Sequence, residues 1–170
     1  MWDMIIDDQG KIKQSFKIII GLLIVLIGVF LFNNREQKPS DEVLNAPYIK
    51  TNTGFINLKS SINIATSVVL KSSSGEPSFS WSKVSKSSLP NSLKDNLYGV
   101  FNEDKDTIYS VKIKGDLEDE VKSAEYFLIV RNEKVLTAAF MCVEDSIGKG
   151  HVTVISLREA VGLAQARSFR

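Results

Sequence analysis

Hydrophobic and polar positions divide this chain into an apolar block, a polar connector and a long segment of short alternating pieces. The block runs from Ile18 to Phe32, 15 residues without a polar side chain, of which 13 are Ile, Leu, Val or Phe. It is apolar on every side, whereas a surface helix of a soluble domain carries a polar stripe. At 1.5 Å per residue it reaches roughly 22 Å, against a hydrocarbon core of about 30 Å. The pattern predicts a short membrane-spanning helix, which Lys17 extends by snorkelling its amine to the headgroups.

An uncleaved anchor is favoured over a cleaved signal peptide, which would show a similar apolar centre. Residues 32–35 offer no small-x-small cleavage site, and the preceding polar region is long for a signal peptide. Basic residues give the orientation: three precede the span and two follow it closely, namely Lys11, Lys13 and Lys17, then Arg35 and Lys38. By the positive-inside rule, the N-terminus is expected in the cytoplasm and the C-terminal part on the other side of the inner membrane.

These patterns predict four parts in the chain. Residues 1–17 form a short N-terminal tail, 18–32 the transmembrane helix, 33–47 a linker and 48–170 an extracytoplasmic α+β domain. The linker is assigned because its residues are polar and charged, include two prolines and show no periodicity. The domain is large enough to bury a proper hydrophobic core.

Short alternating or continuous apolar runs in the C-terminal part predict strands. The predicted strands lie at 61–70, 78–82, 107–113, 126–130, 135–143 and 151–155. The serine-rich stretch around 78–82 alternates small polar with large aromatic residues, which favours a strand over a flexible linker. The runs 126–130 and 135–143 surround a short polar turn and predict a β-hairpin at the centre of the sheet.

Two helices are expected to pack on one side of this sheet. Apolar residues at helical spacing predict a first helix of about twelve residues: Leu89, Leu93, Leu97, Val100 and Phe101, with Ser88 as a cap and Pro90 in the first turn. Ser156 and Glu159 match the capping-box pattern that begins the second helix. Its buried face is predicted to be Leu157, Ala160, Val161 and Ala164. The fold class is therefore α+β, an antiparallel sheet of about five strands with two packed helices.

Charge and cysteine content narrow the function classes. Lys and Arg number 21 against 20 Asp and Glu, so the net charge of +1 creates no global field that attracts nucleic acid. Cys142 stands alone, which excludes an intrachain disulfide and a cysteine-rich metal site.

Candidate chemistry is limited to one pair of residues. Cys142 lies within an apolar run and His151 at the start of a predicted strand, so an inert thiol and a surface imidazole are the preferred interpretations. Four acids in 116–120 lack the alternate ligands and the glycine of a calcium loop, and 148–150 lacks the frame of a phosphate loop. We predict no catalytic, metal-binding or cofactor-binding residues, and no enzyme.

The architecture suggests a function in the membrane. We expect a non-enzymatic structural or assembly component of a membrane or envelope complex, bound to the bilayer through Ile18 to Phe32 and to other envelope proteins through its domain. In architecture alone it resembles inner-membrane assembly proteins of bacterial secretion and conjugation machines. Two alternatives stay open: a membrane-tethered immunity, exclusion or regulatory protein that blocks a partner, and an anchored enzyme. Self-association is also open, because Gly21 and Gly28 share one helix face.

Overall fold

The computed structural model of the chain describes residues 14–33, 36–146 and 151–167, and it divides into two units after Glu36. The first unit contains α1, Gln14–Asn33, a helix of 20 residues whose described apolar side chains from Ile18 to Ile27 are exposed. Among the described residues, no helix combines the length and the apolarity needed to cross a membrane. The membrane span at 18–32 stays a prediction, and most of the predicted tail lies outside the described residues.

The second unit begins at Gln37 and is an α+β domain. Its helices are α2 (Asp41–Asn45), α3 (Leu58–Thr66), α4 (Asn91–Asn96) and α5 (Leu157–Arg167), with a 3₁₀ turn at Lys86–Ser88. Its strands are β1 (Pro47–Thr51), β2 (Gly54–Asn57), β3 (Ser78–Val84), β4 (Asp106–Lys114), β5 (Val121–Arg131), β6 (Val135–Asp145) and β7 (Val152–Ser156). Strands β3 to β7 form a five-stranded antiparallel sheet in sequence order, and β1 and β2 form a separate two-stranded sheet. The predicted α+β class with a sheet of about five strands is confirmed.

The β5–β6 hairpin forms the centre of the large sheet, as predicted. β5 is the middle strand of the five, and its residues from Tyr126 to Val130 are buried on both faces. The tight turn passes through Asn132 and Glu133, which both have positive φ, 50° and 58°. The Lys134 N–H closes it by donating to the Arg131 carbonyl at 3.1 Å. The Glu133 carboxylate accepts hydrogen bonds from Tyr109, Lys83 and Thr107, which lower its pKa, so the turn is attached to the neighbouring strands.

One face of the sheet, defined by Tyr109, Tyr126 and Met141 and called the α3/α5 face, packs against α2, α3 and α5. The side chain of Tyr126 is fully buried there, and its hydroxyl shares a hydrogen bond of 2.8 Å with the Thr66 hydroxyl on α3. Burial of the phenol raises its pKa, so the hydroxyl stays protonated. This polar pair inside an apolar layer fixes where α3 lies on β5, because neither hydroxyl can lose its partner cheaply.

The opposite face, defined by Ile108, Phe127 and Cys142 and called the α4 face, packs against the segment around α4. The leucine stripe was predicted correctly: Leu89, Leu93 and Leu97 are all buried. The helix itself is shorter than predicted, six residues, and it begins after Pro90, so Ser88 ends the 3₁₀ turn rather than capping α4. The expectation of helices on one side of the sheet is also wrong, because α4 covers the face opposite to α3 and α5.

Residues 61–70 are not a strand as predicted, because most of them belong to helix α3. The alternation of Ile62 and Ile64 suggested period two, yet the residues buried in the structure recur at helical spacing, at Leu58, Ser61, Ile62, Ala65 and Thr66. Asn57 begins the helix by accepting the Ser60 N–H at 2.7 Å on its side-chain oxygen. Ser61 and Ala65 are fully buried on this face, although their short side chains contribute little to a hydrophobic pattern in the sequence.

The predicted capping box at the start of α5 is present. The Ser156 N–H donates to the Glu159 carboxylate at 2.8 Å, and the Glu159 N–H donates to the Ser156 hydroxyl at 3.2 Å. The buried face of α5 is also as predicted. The segment interpreted as a linker, 33–47, contains helix α2, whose Val43 and Leu44 are in the core.

An ion pair between Arg131 and Asp106 stabilises the loop between α4 and β4. The Arg131 guanidinium donates to both carboxylate oxygens of Asp106, at 2.8 and 2.9 Å, and the Asp106 side chain is fully buried. The Asn102 N–H donates to the same carboxylate at 2.8 Å, and Arg131 also reaches the Val100 carbonyl at 3.2 Å. The hydrogen bonds from Arg131 hold the pKa of Asp106 below its usual value.

Leu93→Ala is expected to lower the free energy of unfolding by about 2–5 kcal/mol, because it opens a cavity between α4 and the sheet. Leu163→Ala is the matched control, since Leu163 is 51% exposed on α5 and its loss should cost less than about 0.5 kcal/mol. Urea titration of the full chain in detergent, followed by near-ultraviolet circular dichroism, measures both. Equal effects of the two substitutions would contradict the packing of α4 on the sheet.

Asp106→Asn is expected to lower the free energy of unfolding by about 1–3 kcal/mol at neutral pH, because a buried charged acceptor is lost. Since folding lowers the pKa of Asp106, the carboxylate's contribution is fully present above the unfolded pKa of about 3.9 and is lost as pH falls through the folded value. The stability difference between the two proteins should therefore shrink below about pH 4. Asp104→Asn, an exposed carboxylate in the same loop, is the control. A difference that stays constant from neutral to acid pH would refute this account.

Candidate functional site

The large sheet has an incompletely covered edge along the first half of β6. β7 pairs only with the stretch from Phe140 to Glu144, because the chain turns into α5 after Ser156. In the part of the chain that the structure describes, no strand pairs with residues 135–139 on that side. Backbone N–H and C=O groups on such an edge can pair with an incoming strand.

A groove of about 480 Å³ follows this edge and is called the β6-edge groove. One wall is residues 134–140 of the β6 segment. The opposite wall is the turn between α2 and β1, with Ala46, Pro47 and Tyr48, and the end is closed by Ser156 and Arg158. Val43 and Leu58 lie beneath its surface and are buried. The groove is therefore an apolar trough with one backbone edge along its length.

Two cations, Lys134 and Arg158, line the β6-edge groove, and its described lining residues include no carboxylate. Arg158 donates to the Tyr48 carbonyl at 3.1 Å, and its guanidinium lies 5.0 Å from the centre of the Tyr48 ring. Neither cation forms an ion pair with any described carboxylate. Burial of the Tyr48 hydroxyl raises its pKa despite the opposing effect of Arg158, so no negative charge from that phenol compensates the cations.

The opposite edge of the sheet differs in charge. A second groove of about 430 Å³ lies beside β3 and is lined by Phe79, Trp81 and Pro77 together with Lys59 and Glu76. Here one cation and one carboxylate line the groove, so it has no net preference for an acidic or a basic ligand. The β6-edge groove is the more selective of the two surfaces.

Cys142 and His151 do not form a reactive pair. Cys142 pairs with Val154 and faces the α4 core, where its exposed fraction is 5%. His151 is exposed just before β7. Successive residues of a strand alternate between its two faces, so His151 lies on the same side as Thr153 and on the side opposite to Val154 and Cys142. Burial, with a smaller effect of Glu125, raises the pKa of the Cys142 thiol to about 12, so the nucleophilic thiolate is scarce at neutral pH.

The acidic loop before β5 forms a polar surface. Lys71 forms an ion pair with Asp119, and the Asp119 carbonyl accepts a hydrogen bond from the Ser146 hydroxyl at 2.7 Å. Across the described ranges, no group of three His, Cys, Asp or Glu residues is placed to hold a metal ion. The glycine-lysine turn at 148–150 lies outside the described residues.

Sequence reasoning did not find the β6-edge groove. Arg158 was visible only as the residue between Ser156 and Glu159 in the capping box, and Tyr48 only as the start of the predicted domain. One signal in the sequence could have indicated this free edge. The predicted strand at 135–143 is longer than the one at 151–155, so part of the longer strand is left without a partner. Comparisons with protein-family models, with curated proteins and with solved structures find no match to this chain.

Iodoacetamide is expected to label Cys142 in the folded protein more than about tenfold more slowly than in denaturant, because the thiol is buried and its pKa is raised. Mass spectrometry of timed samples at a slightly alkaline pH measures the two rates. An introduced Ser92→Cys, at an exposed position on α4, gives the rate for an accessible thiol. Labelling of Cys142 at that same rate in the folded protein would show that the thiol is accessible and reactive.

Proposed function

We propose that this protein is a single-pass, membrane-anchored component of an envelope assembly, in which a non-enzymatic extracytoplasmic domain binds another protein. The observation that carries the proposal is the exposed apolar surface of α1. The assembly is of the kind found in secretion or conjugation machines. It is supported by the cost of leaving α1 in water, by the length of the apolar run with its basic flanks, and by the β6-edge groove on the domain.

The apolar surface of α1 supports a lipid environment. Nine Ile, Leu and Val side chains from Ile18 to Ile27 are between 39% and 66% exposed. Burying each in an apolar medium gains roughly 1.5–3 kcal/mol relative to leaving it exposed. They surround the helix, so packing against one partner along a single stripe would leave many of them in water.

The length of the apolar run constrains how α1 would lie in a bilayer. The 15 residues from Ile18 to Phe32 reach roughly 22 Å, which is shorter than a typical hydrocarbon core. A short span is accommodated by local thinning of the bilayer and by flanking side chains that snorkel, each at a modest cost. Lys17 and Arg35 flank the run and can do this.

A binding role for the domain is supported by the geometry of its surfaces. The β6-edge groove offers a backbone edge, an apolar trough and two unpaired cations, which are features of a protein-recognition surface. The one thiol of the chain is buried and faces away from His151, which weakens the anchored-enzyme alternative.

Membrane anchoring is tested by substitution within α1. Leu23→Lys with Ile24→Lys is expected to move the protein from the membrane pellet to the supernatant after carbonate extraction, because each charge costs about 2.5–3.5 kcal/mol at the centre of a span. Leu23→Ala with Ile24→Ala is the matched control and should stay in the pellet. Release of the unsubstituted chain by carbonate would overturn the anchor.

Partner binding is tested by photo-cross-linking in cells. A photoreactive amino acid at Thr137, in the β6-edge groove, is expected to give discrete adducts with other envelope proteins. The same amino acid at Lys112, on the α4 face, is the control and should give few. Adducts with several assembly proteins support the scaffold, whereas a single adduct with a toxin or receptor indicates the blocking-protein alternative. Adducts with the chain itself alone would contradict both.

A further inference from the structure

The β6-edge groove combines features that define a ligand more narrowly than a general protein surface does. We propose that it binds an extended, acidic peptide segment of a partner protein, which adds as a strand to residues 135–139 and places separate carboxylates against Lys134 and Arg158. This inference rests on the proposed binding function and names the chemistry of the partner.

The backbone edge sets the conformation of the ligand. β6 continues for five residues beyond the point at which β7 ends, from Phe140 back to Val135. Five residues of strand measure about 17 Å. The capping box keeps β7 from extending over this stretch, because Ser156 is committed to the first turn of α5. An incoming strand can therefore pair with this edge, with a local break at Thr137, where β6 shifts register against β5.

The groove lining sets the apolar side chains of the ligand. Side chains of an added strand alternate between the two faces of the sheet. On the side of the α3/α5 face they would meet the groove surface at Pro47, Tyr48 and Leu136. We therefore expect apolar residues at alternate positions in the bound segment.

The charge of the groove selects an acidic segment over a second copy of this chain. Lys134 and Arg158 line the groove without a described carboxylate partner, and Arg158 is held in place by the Tyr48 carbonyl and ring. Two carboxylates on the ligand, one toward each end of the bound segment, would form charge-assisted hydrogen bonds with these two groups. A second copy pairing edge to edge would instead bring the same cations to the interface.

Peptide selection tests the inference directly. The full chain in nanodiscs of neutral phosphatidylcholine is used to select from a displayed library of random heptamers, and the enriched peptides are then synthesised. We expect them to be enriched in Asp and Glu and to alternate apolar with polar residues. An absence of selected peptides, or peptides without acidic residues, would overturn the inference.

Variants show whether the selected peptides use the groove. Lys134→Glu with Arg158→Glu is expected to weaken their binding at least about tenfold, as measured by fluorescence anisotropy. Lys105→Glu with Lys114→Glu makes the same change in net charge at exposed positions outside the groove and should change binding less than about twofold. If the double variant does not fold, binding is measured with the single variants Lys134→Gln and Arg158→Gln instead. Equal weakening by both pairs would show that only net charge matters and would contradict a site.

Hydrogen exchange distinguishes strand addition from contact between side chains. In the peptide complex, backbone amides of residues 135–139 are expected to exchange more slowly, while those of β3 at the other edge of the sheet stay unchanged. Unchanged exchange at 135–139 would refute strand addition. If cross-links from Thr137 to envelope proteins are found while acidic peptides fail, the binding function stands and the proposed ligand is wrong. If neither is found, both fail.

Discussion

The burial of β5 on both of its faces is the constraint on which the rest of this domain depends. A strand whose every side chain from Tyr126 to Val130 is removed from water needs a covering layer on each side of the sheet. Helices α3 and α5 cover one side, and the leucines around α4 cover the other. The outer strands then take their places in chain order, since each strand pairs with its neighbour in sequence.

The elements that could be predicted from sequence are those whose signal is local. The hairpin around 131–134 and the capping box at Ser156 depend on residues a few positions apart, and the structure contains both. The leucine stripe at Leu89, Leu93 and Leu97 also has a local period, although the helix on which part of it lies ends at Asn96, shortly before Gly99 with its positive φ. Predictions of this kind succeed because the same few residues supply both the pattern and the hydrogen bonds.

The elements that could not be predicted depend on what lies beside them in space. α3 has Ser61, Ala65 and Thr66 on its buried face, residues that appear polar or neutral until Tyr126 supplies a partner for the Thr66 hydroxyl. The β6-edge groove depends on Tyr48 and Arg158, which lie 110 positions apart in the chain and meet through one hydrogen bond. Neither residue carries a motif, so the site became visible only in three dimensions.

The order of the elements along the chain also determines at what stage of synthesis the hydrophobic core can be completed. The sheet is a meander whose pairings join neighbours in sequence, and such local contacts form readily. The α3/α5 face is different, because its helices are far apart in the chain: the Arg167 guanidinium reaches the Val68 carbonyl across 99 positions, and Leu157 packs on the same core as Leu58. Until α5 is synthesised, only α2 and α3 are available to cover that face, and apolar surface left exposed at this stage favours aggregation or capture by a chaperone.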